Sequence, residues 1–494
     1  MLKLLYQILF FCIVVFLTGF KSPELARLNV ISELYVGESK EIELINGEKV
    51  NLELLEINIL RDSPRSAVRA AQVKIAVNGE VVSIGSGNYN LPVTVGSIKI
   101  DCPLIKEHTV SNYYRHGGGL EGDARFRLWP EDSPYIQPGT FSYPLKQIWF
   151  ASRMQSQNEL AGLGWAENLQ STPIGYHPTH DFGGAEGMDE IIAAAGGLVV
   201  SSNNEVLEGY EDLPGDVRPD VIWIVDGRGW YYRYSHLDSI EPDIVPGARI
   251  GIGQLLGLMG KQGGSGGWVH LHFGVHYKEP GSSDWEVEDA YPYLWEAYVE
   301  KYKPALVAVA RPRLLAWTGE DVILNGTKSI SLTGDIVSYE WAYTDGAKAY
   351  GAVQKRKYNE AGEYSEILKV TDSNGNVDYD FAYIQVYDKE DPEKPVPTIH
   401  PVFYPSLNIR PGDPVTFLVR TFGSSTGEEV WDFGDGSEKV IVNSGVVQRE
   451  SQNEGEYAKT VHSFSRAGQY VVRVERTSEH GLTAIGHLHV VVNQ

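Results

Sequence analysis

The chain has 494 residues, enough for roughly three or four domains with sizeable cores. Its composition is that of a globular protein, with 42% hydrophobic and 22% charged residues. The net charge is −23, from 42 basic and 65 acidic residues without a basic block. This excludes nucleic acid as a partner, because phosphate binding needs clustered Lys and Arg. We interpret the acidic surface as a source of solubility.

The first 22 residues form a separate apolar segment. Residues 4–20 are almost wholly apolar and lie between Lys3 and Lys21, which is typical of a secretory signal peptide or an uncleaved N-terminal anchor. We therefore expect export from a bacterium to the periplasm, the cell surface or the medium, with membrane contact only through this segment if it stays uncleaved. The two cysteines are Cys12 and Cys102, so a chain that has lost the segment can form no internal disulfide.

Residues 28–105 show a pattern of short alternating strands. The pairs Asn46-Gly47 and Asn78-Gly79 each lie between apolar runs, and such pairs favour two-residue hairpin turns. We interpret this part as a small β-domain.

Residues 123–302 form the next predicted domain, which is also mostly β. The strand patterns of residues 221–225 and 230–234 enclose the turn residues 226–229, which predicts a hairpin. Residues 290–302 are rich in helix formers and aromatic residues, so we expect a helix that closes this domain.

A His-x-His motif lies in the predicted strand of residues 268–273. His270 and His272 point to one face of this strand, while the residue between them points into a core. Two imidazoles on one face of a rigid strand suit a metal and a neighbouring catalytic base. A second such pair, His487 and His489, has no His-x-x-x-Asp partner in its segment, so we interpret it as structural.

Further candidate residues precede this motif in the chain. His177 and Asp181 have a His-x-x-x-Asp spacing, and His236 follows the predicted hairpin. Because catalytic zinc commonly takes three protein ligands and leaves one position for water, His177, Asp181 and His272 predict a zinc site. His236 and the first histidine of the motif are left to handle protons, or only to orient the ligands. His180 is a competing ligand, but its choice would break the four-residue spacing.

The order and flanks of these residues resemble the lysostaphin-like zinc metallopeptidases, whose members cut peptides of bacterial cell walls. The resemblance covers about residues 141–277. Besides the histidine motifs, it includes four flanking runs: Phe141-Ser142-Tyr143-Pro144-Leu145, Ile192-Ala193-Ala194-Ala195-Gly196-Gly197-Leu198-Val199, Tyr232-Arg233-Tyr234-Ser235-His236-Leu237 and Ile250-Gly251-Ile252-Gly253-Gln254-Leu255-Leu256-Gly257-Leu258-Met259-Gly260.

This resemblance implies an antiparallel β metallopeptidase domain that hydrolyses peptide bonds with a zinc-activated water. The implied zinc ligands are His177, Asp181 and His272, and the implied catalytic residues are His236 and His270. The two catalytic histidines would polarise the water and stabilise the tetrahedral intermediate. The chain has no His-Glu-x-x-His motif, so it is not a peptidase of the thermolysin type.

Four features depart from the family pattern. Thr179 stands where the family usually has glycine, and Trp268-Val269 stand where Gly-Pro is common. Gly274 occupies a position where an acidic residue often follows, and residues 203–220 look inserted. These departures bear on substrate choice more than on zinc binding.

Two β-sandwich segments follow, at residues 304–388 and 395–492. The charged, proline-containing linker between them should be exposed and extended. The segments look like an internal repeat, since Tyr339-Glu340-Trp341 corresponds to Val430-Trp431-Asp432 and Ala361-Gly362-Glu363-Tyr364 to Ala467-Gly468-Gln469-Tyr470.

The second segment resembles the PKD domain, an immunoglobulin-like sandwich found in many secreted bacterial hydrolases. The resemblance rests on Trp431-Asp432-Phe433-Gly434-Asp435-Gly436-Ser437 and His462-Ser463-Phe464. The first segment is similar to the same domain but is the weaker match, because it lacks the first of these runs. This resemblance implies spacing, adhesion or binding of a polysaccharide or surface rather than chemistry. Sandwiches with their own cores have no need to contact the active site.

The sequence therefore predicts a mainly β, exported zinc metalloendopeptidase. Its expected substrates are the stem or cross-link peptides of peptidoglycan, or other extracellular peptides. The alternative is a catalytically inactive wall-binding or adhesion protein that regulates another hydrolase. The presence of all five candidate positions favours the enzyme, because inactive relatives typically lose zinc ligands.

Overall fold

The computed structural model describes residues 25–87, 89–109, 120–147, 156–157, 161–162, 174–175, 177, 179–279, 281–446 and 454–494. The predicted signal or anchor segment, residues 1–22, lies outside these ranges. Within them the chain is almost all β, which confirms the predicted fold class. In this part of the chain no helix has the length and apolar character needed to cross a membrane.

The N-terminal part forms an eight-stranded sheet. Its elements are β1 (Val30–Leu34), β2 (Ser39–Glu43), β3 (Lys49–Arg61), β4 (Val68–Val77), β5 (Glu80–Ser86), β6 (Val93–Val95), β7 (Ile98–Ile105), the short helix α1 (Lys106–Thr109) and β8 (Ala124–Pro130). The strand order is β1-β8-β7-β5-β4-β3-β2, and β6 pairs with β7. Asn78 and Gly79 form the expected two-residue turn between β4 and β5, both with positive φ. The Asn46-Gly47 turn is longer, because the pairing of β2 with β3 ends at Glu43 and Lys49.

The N-terminal sheet extends past the boundary expected at residue 105. β8 pairs with β1 and β7, although the sequence pattern placed it in the following domain. All seven residues of β8 are buried. Among them Arg127 donates to Asp101 on β7 and to Glu288 of the following domain. β8 therefore lies between the two units and belongs to the first sheet.

The middle part contains the strands that carry the candidate site. They are β9 (Ser156–Gln157), β10 (Ala161–Gly162), β11 (Ile174–Gly175), β12 (His180–Gly183), β13 (Glu190–Ile192), β14 (Gly197–Ser202), β15 (Glu205–Val206), β16 (Ile222–Val225), β17 (Tyr231–Ser235), β18 (Leu237–Ile240), β19 (Arg249–Ile250), β20 (Leu255–Met259), β21 (His270–Tyr277) and β22 (Glu286–Glu288), followed by α2 (Tyr291–Tyr302). The main sheet has the order β15-β14-β16-β17-β21-β12-β9, with β21 between β17 and β12. Leu271 and Phe273 of β21 are fully buried in its core.

The C-terminal part contains two segments with matching strand order. The first has β23 (Leu306–Val307), β24 (Leu314–Trp317), β25 (Asp321–Asn325), β26 (Ile330–Ser331), β27 (Ile336–Ala342), β28 (Lys348–Tyr350), β29 (Val353–Lys357), β30 (Gly362–Asp372) and β31 (Val377–Tyr387). The second has β32 (Thr398–Tyr404), β33 (Val415–Phe422), β34 (Glu429–Asp432), β35 (Val440–Val442), β36 (Ala458–His462), β37 (Gly468–Thr477) and β38 (Thr483–Val492). The neighbours β27-β30-β31 correspond to β34-β37-β38, and both place a fully buried tryptophan, Trp341 or Trp431, on the first strand.

The two C-terminal segments are joined to each other and to the middle part. β30 and β38 pair in parallel at Glu363 and Ala484, so the segments share one sheet. The second segment contacts the middle part, although a sandwich with its own core has no need to do so. Its Arg420 donates to the carbonyl of Gly267, directly before β21. The two residues are 153 positions apart in the sequence, so no local sequence pattern could predict this contact.

Candidate metal centre

The register of β12 against β21 builds the centre of the site. Asp181 on β12 lies directly opposite His272 on β21, and Gly183 lies opposite His270. Directly opposite residues on an antiparallel pair share one face of the sheet. His177 precedes β12 and approaches the same face. Three residues from two strands and a preceding segment are thereby brought together.

The potential ligand atoms of these three residues are spaced for one metal ion. Nε2 of His177 lies 3.2 Å from Nδ1 of His272 and 3.6 Å from Oδ2 of Asp181. Nδ1 of His272 lies 2.9 Å from Oδ1 of Asp181. Tetrahedral zinc with bonds of about 2.0–2.1 Å to nitrogen and oxygen separates its ligand atoms by about 3.3 Å. Both the donor types and the spacing therefore fit zinc, and this is the one such group of three among the described residues.

Hydrogen bonds leave the required nitrogen atoms free to bind a metal. Nδ1 of His177 lies 3.0 Å from the carbonyl of Thr179, and a carbonyl can only accept, so Nδ1 carries the proton and Nε2 is left for the metal. The Thr179 hydroxyl lies 3.2 Å from Nε2 of His272 and can accept its proton, which leaves Nδ1 for the metal. Such outer partners fix the orientation of metal-binding histidines.

The departures at Thr179 and Gly274 compensate each other sterically. A Cβ atom at position 274 would lie 2.9 Å from Cγ2 of Thr179 and 2.8 Å from Nε2 of His276. Thr179 is itself buried. The threonine side chain therefore occupies space that a larger residue at 274 would need.

His270 and His236 form a second pair beside the three candidate ligands. Their ring centroids are 4.6 Å apart, and Nε2 of His270 lies 3.7 Å from Oδ1 of Asp181. Nδ1 of His270 donates to the carbonyl of Trp268, and Nδ1 of His236 donates to that of Gln262. In its neutral form each ring therefore leaves Nε2 without a proton.

Burial sets the protonation of His270 and His272 on β21. It lowers the pKa of His270 well below the ordinary value, because the charged form would lose its hydration. Burial also lowers the pKa of His272, and the neighbouring His177 adds to this effect. Both rings are therefore neutral at neutral pH. The side chains of Asp181 and His272 remain 15% and 16% exposed, so the centre is open to a ligand from solvent.

His236 is held in a left-handed backbone conformation with φ of 69°. A non-glycine residue there costs about 1–3 kcal/mol and keeps this conformation only where its surroundings enforce it. Its backbone N–H donates to Asp220, and Arg218 donates two hydrogen bonds to the same carboxylate. Burial alone would raise the pKa of Asp220, but the hydrogen bonds of His236 and Arg218 hold it below its ordinary value.

Sequence reasoning missed Asp220 and Trp268 as parts of the site. Asp220 ends the segment that looked inserted, so the contribution of that segment includes support for His236. Trp268 stacks on His270, with ring centroids 3.8 Å apart and planes 13° apart. The departure from the family pattern at Trp268 was the available signal for the second residue, and Asp220 had none.

The rejected histidines lie outside the centre. Nε2 of His180 lies 3.2 Å from Asp289, on the other face of β12 from Asp181. In the second sandwich, Nδ1 of His487 lies 2.9 Å from the hydroxyl of Ser365, and His489 lies beside Asp378. These contacts give each of the three a structural partner.

Comparison with known protein families identifies the domain that contains these residues. Residues 175–283, which contain all five candidate residues, match the family model of peptidase family M23. The chain contains an M23 peptidase domain. Residues 303–386 match the PKD domain, so the first sandwich, the weaker match by its sequence runs, is a PKD domain.

Similar proteins share only parts of this chain. Collagenase ColA of Clostridium perfringens is 38% identical over 81 residues, which are 16% of this chain and 7% of the collagenase, and the shared part is the PKD region. The structure of Helicobacter pylori Csd3 is 15% identical with a TM-score of 0.20, over 53% of this chain and 56% of that one. The PKD1 domain of Vibrio anguillarum Epp is 28% identical with a TM-score of 0.15, over 17% of this chain and 94% of that one.

Proposed function

We propose that the M23 domain is a zinc-dependent endopeptidase that cleaves extracellular peptides, with the stem or cross-link peptides of peptidoglycan as its substrate class. The observation that carries the proposal is the convergence of His177, Asp181 and His272 on one point beside two further histidines. The resemblance to lysostaphin-like enzymes supports wall peptides as the substrate.

The three ligands and the two remaining histidines have separate tasks in this proposal. His177, Asp181 and His272 would hold zinc, which would supply a Lewis acid that acidifies water and polarises a carbonyl. Nε2 of His270 or His236 takes the proton from the attacking water. The protonated imidazole then donates a hydrogen bond to the developing oxyanion or returns the proton to the leaving amine.

Burial of His270 suits it to the role of proton acceptor. A neutral imidazole with Nδ1 tied to a carbonyl can accept only at Nε2, so the proton arrives at one defined atom. The nearby Asp181 carboxylate, 3.7 Å from this Nε2, stabilises the imidazolium that forms.

The remaining domains fit an extracellular enzyme. The PKD domain and the partial likeness to a collagenase support action outside the cell. The sandwich segments, residues 304–388 and 395–492, would hold the peptidase near a polysaccharide or another surface. Such tethering raises the local concentration of the enzyme at an insoluble substrate.

The test combines metal analysis with product identification. The purified full chain should carry about one zinc ion and release peptide fragments from purified cell walls, identified by mass spectrometry. His272→Ala should lose both zinc and cleavage, while the exposed His480→Ala control should keep both. Full zinc content in His272→Ala would remove this residue from the ligand set. Zinc binding without cleavage of wall or soluble peptides would favour the inactive regulator instead.

A further inference from the structure

The segment directly before β21 is hydrogen-bonded to the second sandwich at two residues. Nη1 of Arg420 donates to the carbonyl of Gly267 at 2.6 Å. Two residues later, the backbone N–H of Val269 donates to the hydroxyl of Tyr457 at 3.0 Å. Both contacts are buried, and they fix the backbone on either side of one residue.

The residue between these contacts is Trp268, which controls the position of His270. Its indole stacks on the His270 ring, and its carbonyl accepts the proton of His270 Nδ1 at 3.0 Å. Trp268 also contacts the second sandwich through its side chain, because its ring lies edge-to-face with that of His400 at 5.1 Å. His270 therefore takes both its orientation and its tautomer from a residue held by the sandwich.

The sandwich side of this contact is itself ordered by buried polar bonds. Arg420 is 2% exposed, and its Nη2 donates to the carbonyl of Glu454 at 2.6 Å. The Tyr457 hydroxyl accepts from Val269 and is also hydrogen-bonded to Nδ1 of His400, 2.8 Å away. Hydrogen bonds from Nη1 and Nη2 offset part of the cost of burying this guanidinium, while its Nε has no hydrogen-bond partner among the described residues. These residues form a prepared support for the segment.

We propose that the second sandwich completes the active site of the M23 domain, with Arg420 and Tyr457 as positioning residues that hold His270 through Gly267–Val269. This inference rests on the proposed peptidase function for its catalytic consequence. Its structural content, the support of the segment by the sandwich, can be measured without any substrate.

The experiment compares the full chain with Tyr457→Phe and with a matched control, Tyr470→Phe. Both substitutions remove one tyrosine hydroxyl from the second sandwich, and that of Tyr470 donates to the carbonyl of Arg466 at an exposed position. In Tyr457→Phe we expect hydrogen exchange of the Val269 amide to accelerate about tenfold, because a buried N–H loses its acceptor. We also expect kcat to fall about tenfold or more with KM and zinc content unchanged. Tyr470→Phe should match the unsubstituted chain in all four.

Two outcomes separate the inference from the proposed function. If the unsubstituted chain cleaves peptides, and Tyr457→Phe keeps its exchange rate and kcat, the sandwich does not position His270 and the inference is wrong. If the unsubstituted chain cleaves nothing, the peptidase proposal fails. Hydrogen exchange alone then tests whether the second sandwich supports the segment Gly267–Val269. Faster exchange of the Val269 amide in Tyr457→Phe would confirm this support, and unchanged exchange would show that it is absent.

Discussion

Replacing Thr179 with valine removes a hydroxyl from the metal centre while keeping the shape of the side chain. The hydroxyl lies 3.2 Å from Nε2 of His272, and Thr179 is 5% exposed, so water cannot readily replace the lost acceptor. Loss of such an outer partner typically weakens metal binding about 10–100-fold, or about 1.4–2.7 kcal/mol. We therefore expect Thr179→Val to bind zinc more weakly by this factor.

The assay is a competition titration of zinc against a chromophoric chelator at neutral pH. Thr179→Ser serves as the matched variant, because it keeps the hydroxyl and loses only the methyl group beside Gly274. It should bind zinc within about threefold of the original chain, since the acceptor for the ligand histidine remains. Thermal melting of the metal-free variants checks that the fold is intact. Zinc affinity in Thr179→Val equal to that of the unsubstituted chain would refute the role of the hydroxyl.

The remaining predictions concern catalysis and pH. His236→Ala and His270→Ala should keep zinc and lose about 100-fold or more in kcat, because they act on protons rather than on the metal; near-normal turnover in either would disprove its role, and zinc loss would make it a ligand. Burial lowers the pKa of His487 to about 3, whereas an unfolded histidine titrates near about 6.5. Below the unfolded pKa, the unfolded state binds more protons at this histidine than the folded state does. The folded state therefore keeps its full stability above this pKa and loses stability as the pH falls towards 3. Between pH 7 and pH 4, the free energy of unfolding should fall by about 3 kcal/mol less in His487→Gln than in the unsubstituted chain, as measured by denaturant unfolding. An equal fall in both would contradict this assignment.

Local sequence patterns were sufficient for the main elements and for the candidate residues. The alternation around His270 and His272 predicted a strand with both imidazoles on one face, and β21 has that form. The Asn78-Gly79 pair predicted its two-residue turn, because few other residues accept positive φ at both positions. The helix-forming run after residue 290 became α2. These features depend on neighbours within a few residues, so the sequence shows them directly.

Only the tertiary structure decided how these elements meet. The spacing of His177 and Asp181 identified them as candidate ligands, but it did not show how they reach His272. The antiparallel register of β12 with β21 places Asp181 opposite His272. A strand pattern with period two does not specify its partner strand or its register. For the same reason, the sequence could not predict that β8 pairs within the N-terminal sheet or that Arg420 contacts Gly267. Such contacts arise from complementary surfaces far apart in the chain, and burial makes them strong only after the chain has folded.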